Sequence, residues 1–143
     1  ARSTRDRLRM AVSDAPGARE AITTYRTLER FEAGTRDEGY SLLECHLYTG
    51  RTHQIRVHMR HTGHPLVGDQ LYGRGDDRVN LGLRRQFLHS WSIAFDHPAT
   101  GERIERCDRL PDDLLAILNQ IGERSMGRTE AGERICPLLG CDD

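Results

Sequence analysis

Hydrophobic and polar residues alternate along the first third of the chain. The segment AITTYRTLERF (residues 21–31) is rich in β-branched and aromatic residues, and YSLLECHLYT (residues 40–49) shows the same period of two. Alternation of this kind predicts β-strands. The polar loop between them predicts an antiparallel pair, and LRMAVS (residues 8–13) predicts a short strand before it.

The period then changes from two to about four. In THQIRVHMRH (residues 52–61), Ile55 and Met59 lie four positions apart, which predicts a helix with these two residues on its buried side. Gly63 follows in a position typical of a residue that ends a helix.

The second half of the chain contains shorter signals. FLHSWSIAF (residues 87–95) predicts a strand, and Thr100-Gly101 predicts the turn of a hairpin. PDDLLAILNQI (residues 111–121) begins with a proline and two acids before an apolar stripe, which predicts an amphipathic helix. Residues 122–143 are polar, and we expect an irregular or disordered tail. The predicted fold class is α+β, a mainly antiparallel sheet with two short helices.

Composition adds a bias in charge. Residues 1–98 hold 15 arginines against 12 acidic residues and all seven histidines, whereas residues 99–143 hold 6 arginines against 10 acidic residues. This asymmetry permits a polyanion on one face, although a mixed solvated surface explains it equally well. Because neither a signal peptide nor a long apolar stretch is visible, we expect a soluble, cytoplasmic protein without membrane contact.

The four cysteines give no clear pattern. Cys45 lies in a predicted strand and is expected to be a buried thiol. Cys136 and Cys141 are separated by four residues, which is too loose a spacing to assign a zinc site or a disulfide.

The densest chemistry lies at residues 48–73, which hold four of the seven histidines and three arginines. On a helix, His53, Arg56 and Arg60 share one face, which would suit an anion. A zinc site and a basic helix with satisfied imidazoles remain alternatives. Arg56 could also form a bidentate pair with a carboxylate, but the only nearby candidate, Asp69, has the Gly-Asp context of a structural turn residue.

These residues resemble a known family. YTGRTHQIRVH followed by GHPLVGDQLYG is similar to the hallmark of the RluA/RluD branch of bacterial RNA pseudouridine synthases, and the resemblance covers about residues 8–121. It implies an α+β catalytic domain around a bent mixed sheet, with RNA in a cleft and a target uridine flipped out of its stack. The expected partner is RNA, either large-subunit rRNA or tRNA. An Asp nucleophile performs the chemistry in this family, without a metal or an organic cofactor.

The resemblance also assigns roles to single residues. Arg56 matches the active-site basic residue that pairs with the catalytic Asp, and Val57 matches the apolar residue beside it. The other positions expected to bind RNA or the substrate lie on or next to the same predicted helix. They are Arg51, His53, Gln54, His58 and Arg60.

One part of the family pattern is missing. The nucleophile of the family belongs to an H-R-L-D motif in the first half of the catalytic domain, and this chain contains no such motif. We therefore expect residues 1–121 to be the C-terminal portion of a catalytic domain whose N-terminal half is a partner, and the isolated chain to be inactive. The alternative is a non-catalytic RNA-binding module of the same family. An unpaired sheet edge would further predict self-association of such a fragment.

Overall fold

The computed structural model describes residues 8–12, 21–47, 54–76 and 78–142. Within these ranges the main sheet is antiparallel, as the alternating segments predict. Strand β1 (Leu8–Val12) pairs with β2 (Ala21–Phe31), and β2 pairs with β3 (Tyr40–Leu47). The strand predictions at 21–31 and 40–49 are confirmed as far as Leu47, and residues 48–49 lie outside the described part.

The long central strand β2 has a different partner at each end of one edge. Its first half pairs with β1, and its second half pairs with β6 (Ser125–Arg128). An irregularity between Thr27 and Glu29 shifts the register with β3 by one residue, as in a β-bulge. This bulge allows both Leu28 and Phe31 to be buried in the core, although they are three positions apart.

Two further strands form a separate ribbon. Strands β4 (Ser92–Asp96) and β5 (Arg103–Cys107) pair antiparallel around the turn that contains Gly101, which has a φ of 73°. The predicted hairpin is therefore confirmed. The predicted strand at 87–95 is shorter than expected, because residues 87–91 are irregular.

In the described part of the chain, three helices accompany the strands: α1 (Gln54–His61), α2 (Asp112–Ile121) and α3 (Glu130–Leu139). Helix α2 begins after Pro111, has two acids in its first turn, and buries the stripe that its pattern predicts. The core joins the sheet to α2 and α3. It contains Leu28, Phe31, Leu42, Leu83, Leu110, Leu114, Ile117, Ile121, Ala131, Ile135, Cys136 and Leu139.

The prediction of an irregular tail was wrong. After a single 3₁₀ turn at Gly122–Arg124, residues 125–139 form β6 and α3, and Thr129 caps α3 by accepting a hydrogen bond from the Gly132 N–H at 3.0 Å. The cause is a partner that is distant in sequence. Thr129 N–H donates to the Leu28 carbonyl at 2.9 Å, which joins this segment to the middle of β2.

The α+β class is confirmed, and the residues that the structure describes include three helices where two were predicted. None of the helices in the described ranges combines the length and the apolar character needed to cross a bilayer.

Candidate active site

Helix α1 is fixed to the sheet by polar contacts. The Gln54 amide nitrogen lies 3.0 Å from the Thr23 hydroxyl oxygen, and the His58 Nδ1 lies 2.8 Å from the same oxygen. Thr23 is fully buried, while Gln54 and His58 are 4% and 2% exposed. One hydroxyl can serve two partners because it both donates and accepts hydrogen bonds. These contacts fix the position of α1 on β2.

This geometry corrects two predictions. Gln54 and His58 were expected to bind RNA or the substrate, but their side chains point into the protein and dock α1 on the sheet. The buried face of α1 also differs from the predicted pair, since it contains Gln54, His58 and Met59 while Ile55 is only partly buried. The spacing of Ile55 and Met59 did not predict this face correctly, because the sheet presents the Thr23 hydroxyl to α1 and not an apolar surface.

The end of α1 is set by a Schellman motif. Gly63, with a φ of 85°, donates its N–H to the Arg60 carbonyl at 2.9 Å, and His64 N–H donates to the Met59 carbonyl at 2.9 Å. This pair of hydrogen bonds satisfies carbonyls at the helix end and reverses the chain. The loop that follows is thereby directed back along α1, toward Arg56.

Arg56 and Asp69 form a bidentate pair at the point where this loop meets α1. Arg56 Nε donates to Asp69 Oδ2 at 2.8 Å and Arg56 Nη2 donates to Asp69 Oδ1 at 2.7 Å. The Asp69 side chain is 0% exposed and that of Arg56 is 12% exposed. A planar fork of this kind fixes the orientation of the guanidinium as well as its charge.

The loop is shaped to hold Asp69. The carboxylate accepts the N–H groups of Leu71 and Tyr72, both at 3.0 Å, and the Asp69 carbonyl accepts Gly73 N–H at 3.0 Å. A Cβ atom at Gly73 would lie 2.1 Å from that carbonyl oxygen, so only glycine fits. Gly68 has a φ of 77° and a Cβ there would lie 2.1 Å from the Arg85 carbonyl oxygen. The loop therefore needs glycine at positions 68 and 73 to bring Asp69 into contact with Arg56.

Asp69 does not have the properties of a nucleophile. The hydrogen bonds from Arg56 and the two backbone N–H groups lower the pKa of Asp69 to about 2, despite the opposing effect of burial. The carboxylate is ionised at neutral pH, but it accepts four hydrogen bonds and has no exposed surface through which a substrate could reach it. Its role is to hold Arg56, and the same contact raises the pKa of the Arg56 guanidinium.

The pair leaves part of Arg56 unused. A guanidinium carries five N–H groups, and Asp69 takes one from Nε and one from Nη2. The Tyr72 ring lies against one face of the guanidinium, 5.2 Å from its central carbon to the ring centroid. The Nη1 side is thus held in a fixed direction, and no hydrogen bond to another described residue occupies it.

The other residues that were predicted to belong to the site fall into two groups, those that the structure describes and those that it does not. Val57 is half-buried beside Arg56, and Arg60 is exposed one turn further along α1. Arg51 and His53 lie outside the described residues. Sequence reasoning named Asp69 as the candidate partner of Arg56 but rated it a structural turn residue. The structure shows that Asp69 does form the pair. No signal in the sequence indicated Thr23 or Tyr72.

The described residues contain no group of three or more His, Cys, Asp or Glu side chains placed to hold a metal ion. His58 is buried on Thr23, whereas His61 and His64 are exposed. These three histidines therefore do not converge on a common point.

Comparison with known proteins connects this site to one family. A family profile described as RNA pseudouridylate synthase matches residues 3–61. An uncharacterized RNA pseudouridine synthase of Chloroflexus aurantiacus is 49% identical over 124 residues, which cover 87% of this chain and 36% of that protein. Ribosomal large subunit pseudouridine synthase D of Xanthomonas campestris is 43% identical over 143 residues, which cover 93% of this chain and 41% of that protein.

The chain spans between about a third and two fifths of the length of these relatives. Among solved structures, human RNA Pseudouridylate Synthase Domain Containing 1 superposes with a TM-score of 0.62 over 94% of this chain and 60% of that one, at 24% identity. This likeness supports the fold, and the sequence matches support the family. The chain belongs to the RluA family of RNA pseudouridine synthases.

Proposed function

We propose that this chain is the C-terminal part of the catalytic domain of an RNA pseudouridine synthase that acts on large-subunit rRNA. The substrate class follows from relatives that are named ribosomal large subunit pseudouridine synthase D, which are 43% and 45% identical and cover 93% and 87% of this chain. The reaction is an isomerisation. The N1–C1′ bond of uridine breaks, C5 joins C1′, and the C5 hydrogen is lost to solvent while N1 gains a proton.

The Arg56–Asp69 pair is the observation that carries this proposal. A nucleophilic carboxylate works best when it is ionised and aimed, and an adjacent guanidinium provides both effects. Because Asp69 holds Nε and Nη2, Arg56 is ready to present Nη1 to a second carboxylate. That carboxylate is the nucleophilic Asp that the family places in its H-R-L-D motif, and it would come from residues outside this chain.

Preorganisation explains why a buried Asp69 is useful. A free arginine on a helix would lose side-chain entropy each time it engaged the nucleophile or the flipped nucleotide. Here the fork, the Tyr72 ring and the docking of α1 on Thr23 fix the guanidinium in advance. Fixed dipoles and charges at a reacting centre require no reorganisation during the reaction.

A second candidate function is RNA binding without catalysis. It is favoured by one observation, which is that the carboxylate in contact with Arg56 is inaccessible to a substrate. Exposed Arg60, His61 and His64 lie on the same segment, and residues 54–68 include no acidic residue. Such a surface would hold RNA phosphates whether or not a nucleophile is present.

The two candidates are separated by an assay that follows the C5 hydrogen. An rRNA fragment labelled with tritium at C5 of uridine is incubated with the complete protein, including any preceding residues, and in parallel with the 143-residue chain. We expect tritium release with the complete protein and none with the chain. Binding without release by the complete protein would favour the binding module. Release by the chain alone would show that its nucleophile lies within these 143 residues.

A further inference from the structure

Helix α3 ends in a motif that brings two cysteines together. Gly140, with a φ of 92°, donates its N–H to the Pro137 carbonyl at 3.2 Å, and Cys141 N–H donates to the Cys136 carbonyl at 3.2 Å. These are the two hydrogen bonds of a Schellman motif, which is frequently accompanied by a side-chain contact between the positions that Cys136 and Cys141 occupy here. Cys136 belongs to the core cluster and Cys141 packs against that cluster.

The backbone distance suits a disulfide. A main-chain hydrogen bond of this length keeps the two Cα atoms within about 7 Å of each other, given standard bond lengths. Disulfides in proteins join Cα atoms that are roughly 4.4–6.8 Å apart. In the structure both residues are free thiols. The two thiols lie close enough for each to shift the pKa of the other.

The two thiols differ in access. Cys136 is completely buried in the core, whereas Cys141 is only partly buried. Cys141 also lines a surface pocket of about 250 Å³, together with Arg109, Asn119 and Gly140. A small polar molecule can therefore reach the Cys141 thiol, whereas the Cys136 thiol is buried in the core and is not accessible from the pocket.

The pKa shifts of the two thiols agree with this difference in access. The hydrogen bond from Cys136, together with the Arg128 guanidinium nearby, holds the pKa of the Cys141 thiol below its usual value. The same hydrogen bond and burial raise the pKa of Cys136. Arg128 is itself held between Glu29, at 3.4 Å, and Asp142, at 2.7 Å.

We propose that Cys136 and Cys141 form a reversible disulfide when the protein meets hydrogen peroxide. The Cys141 thiolate attacks one peroxide oxygen, the O–O bond breaks, and sulfenic acid forms while hydroxide leaves and takes up a proton as water. The Cys136 sulfur then attacks the Cys141 sulfur, the S–S bond forms, and the sulfenic hydroxyl leaves with the Cys136 proton as a second water. Two electrons pass from the thiols to the peroxide, and a dithiol returns them.

This proposal is independent of the pseudouridine synthase activity, and tryptic cleavage tests it directly. Both cysteines lie on the peptide that begins at Ile135, whereas Cys107 lies on the peptide Cys107–Arg109. After peroxide treatment and alkylation, we expect the first peptide to have lost two hydrogens and to carry no alkyl group, and a dithiol to restore alkylation. Cys107 is exposed and serves as the internal control, which we expect to stay mainly alkylated.

Two outcomes would overturn the proposal. One is full alkylation of both cysteines after peroxide, and the other is a Cys141 sulfinic or sulfonic acid beside an unmodified Cys136.

Cys141→Ser should abolish the disulfide, while Cys107→Ser should leave it unchanged. Cys136→Ser should stop at a Cys141 sulfenic acid that dimedone traps, and failure to trap it in a folded variant would contradict the proposed order. If Cys136→Ser does not fold, the Cys141→Ser and Cys107→Ser pair decides.

Discussion

Two arginine–aspartate pairs in this protein have nearly the same geometry and opposite surroundings. Arg56 and Asp69 form two hydrogen bonds of 2.8 and 2.7 Å, and Arg85 and Asp113 form two of 2.7 and 2.8 Å. The first pair has side chains that are 12% and 0% exposed, and the second has side chains that are 43% and 48% exposed. Distance alone therefore does not distinguish a buried pair from a surface pair.

Burial makes the difference because water competes for the exposed pair and not for the buried one. Exposed ion pairs contribute little to stability, since solvent screens them and both side chains lose entropy. A buried carboxylate must keep its partner, because an unpaired charge in the interior is costly. Each pair lowers the pKa of its aspartate through the hydrogen bonds of its arginine. Only at Asp69 are these bonds closed off from solvent.

The largest expected effect is on catalysis. In the complete protein, Arg56→Lys should lower the single-turnover rate of pseudouridine formation by roughly 100-fold or more, as removal of one preorganised donor does in other active sites. Lysine keeps the charge that neutralises Asp69 but cannot form the fork or present a second donor edge. Alanine is a poorer choice, because it would leave the buried Asp69 carboxylate without its partner.

Arg85→Lys is the matched control, with the same substitution in the exposed pair. It should leave the single-turnover rate within about twofold of the parent protein, since a surface pair contributes little. A rate for Arg56→Lys that is as high as that of Arg85→Lys would contradict the catalytic role that we propose for Arg56. Equal losses of the single-turnover rate in both variants would show that burial of the pair does not decide whether its arginine contributes to catalysis.

The next effect is on stability. Asp69→Asn should lower the free energy of unfolding by about 2.5 kcal/mol at neutral pH, which is the value of a pKa lowered from 3.8 to about 2. The same substitution at Asp113 should leave the melting temperature almost unchanged. Thermal or urea unfolding of the three proteins measures both changes.

The pH dependence gives a sharper form of this test. Because the folded-state pKa of Asp69 lies below its unfolded value, the ionised pair stabilises the fold above about pH 3.8, and this contribution is lost as the pH falls toward 2. The difference between the parent protein and Asp69→Asn should therefore shrink over this interval. A difference that stays constant from pH 6 to pH 2 would mean that Asp69 acts through its shape and not through its charge.

The sequence predicts an element correctly where its own hydrophobic pattern decides the structure. The prediction fails where a contact with a segment distant in sequence decides it. Helix α2 and the strands β2 and β3 follow their own hydrophobic patterns, and they were predicted correctly. Helix α3 was missed because Gly132 and Pro137 interrupt its stripe. Gly132 is required by packing, since a Cβ atom there would lie 1.9 Å from the Leu28 carbonyl oxygen. A residue that opposes helix formation locally is thus selected by a contact about a hundred positions away.

The candidate site shows the same division. The family motif predicts a site role for Arg56, but it gave no sign that Gln54 and His58 turn inward toward Thr23. Polar residues on a predicted helix are normally assigned to the surface, and this assignment fails where the facing strand supplies a buried hydroxyl. The Arg56–Asp69 pair was considered from the sequence and set aside, because whether it forms depends on the path of the loop that follows α1.

The smallest expected effect concerns Arg60, which lies four residues after Arg56 on the same helix. Arg60 is exposed and, unlike Arg56 and Arg85, forms no ion pair with a carboxylate in the described part of the chain. Its charge is therefore available to an RNA phosphate, where it would act without orienting any reacting group. Arg60→Ala should weaken RNA binding a few-fold and reduce the slope of log K against log salt by about 1.

The single-turnover rate of Arg60→Ala at saturating RNA should match that of the parent protein, because a phosphate contact contributes to binding and not to the chemical step. Arg106→Ala, which removes an exposed arginine from β5, is the control and should change neither quantity. An unchanged salt slope in Arg60→Ala would remove Arg60 from the RNA surface. A large fall in the saturated rate would instead place Arg60 beside Arg56 in the catalytic centre, and exposure would then no longer separate binding arginines from catalytic ones.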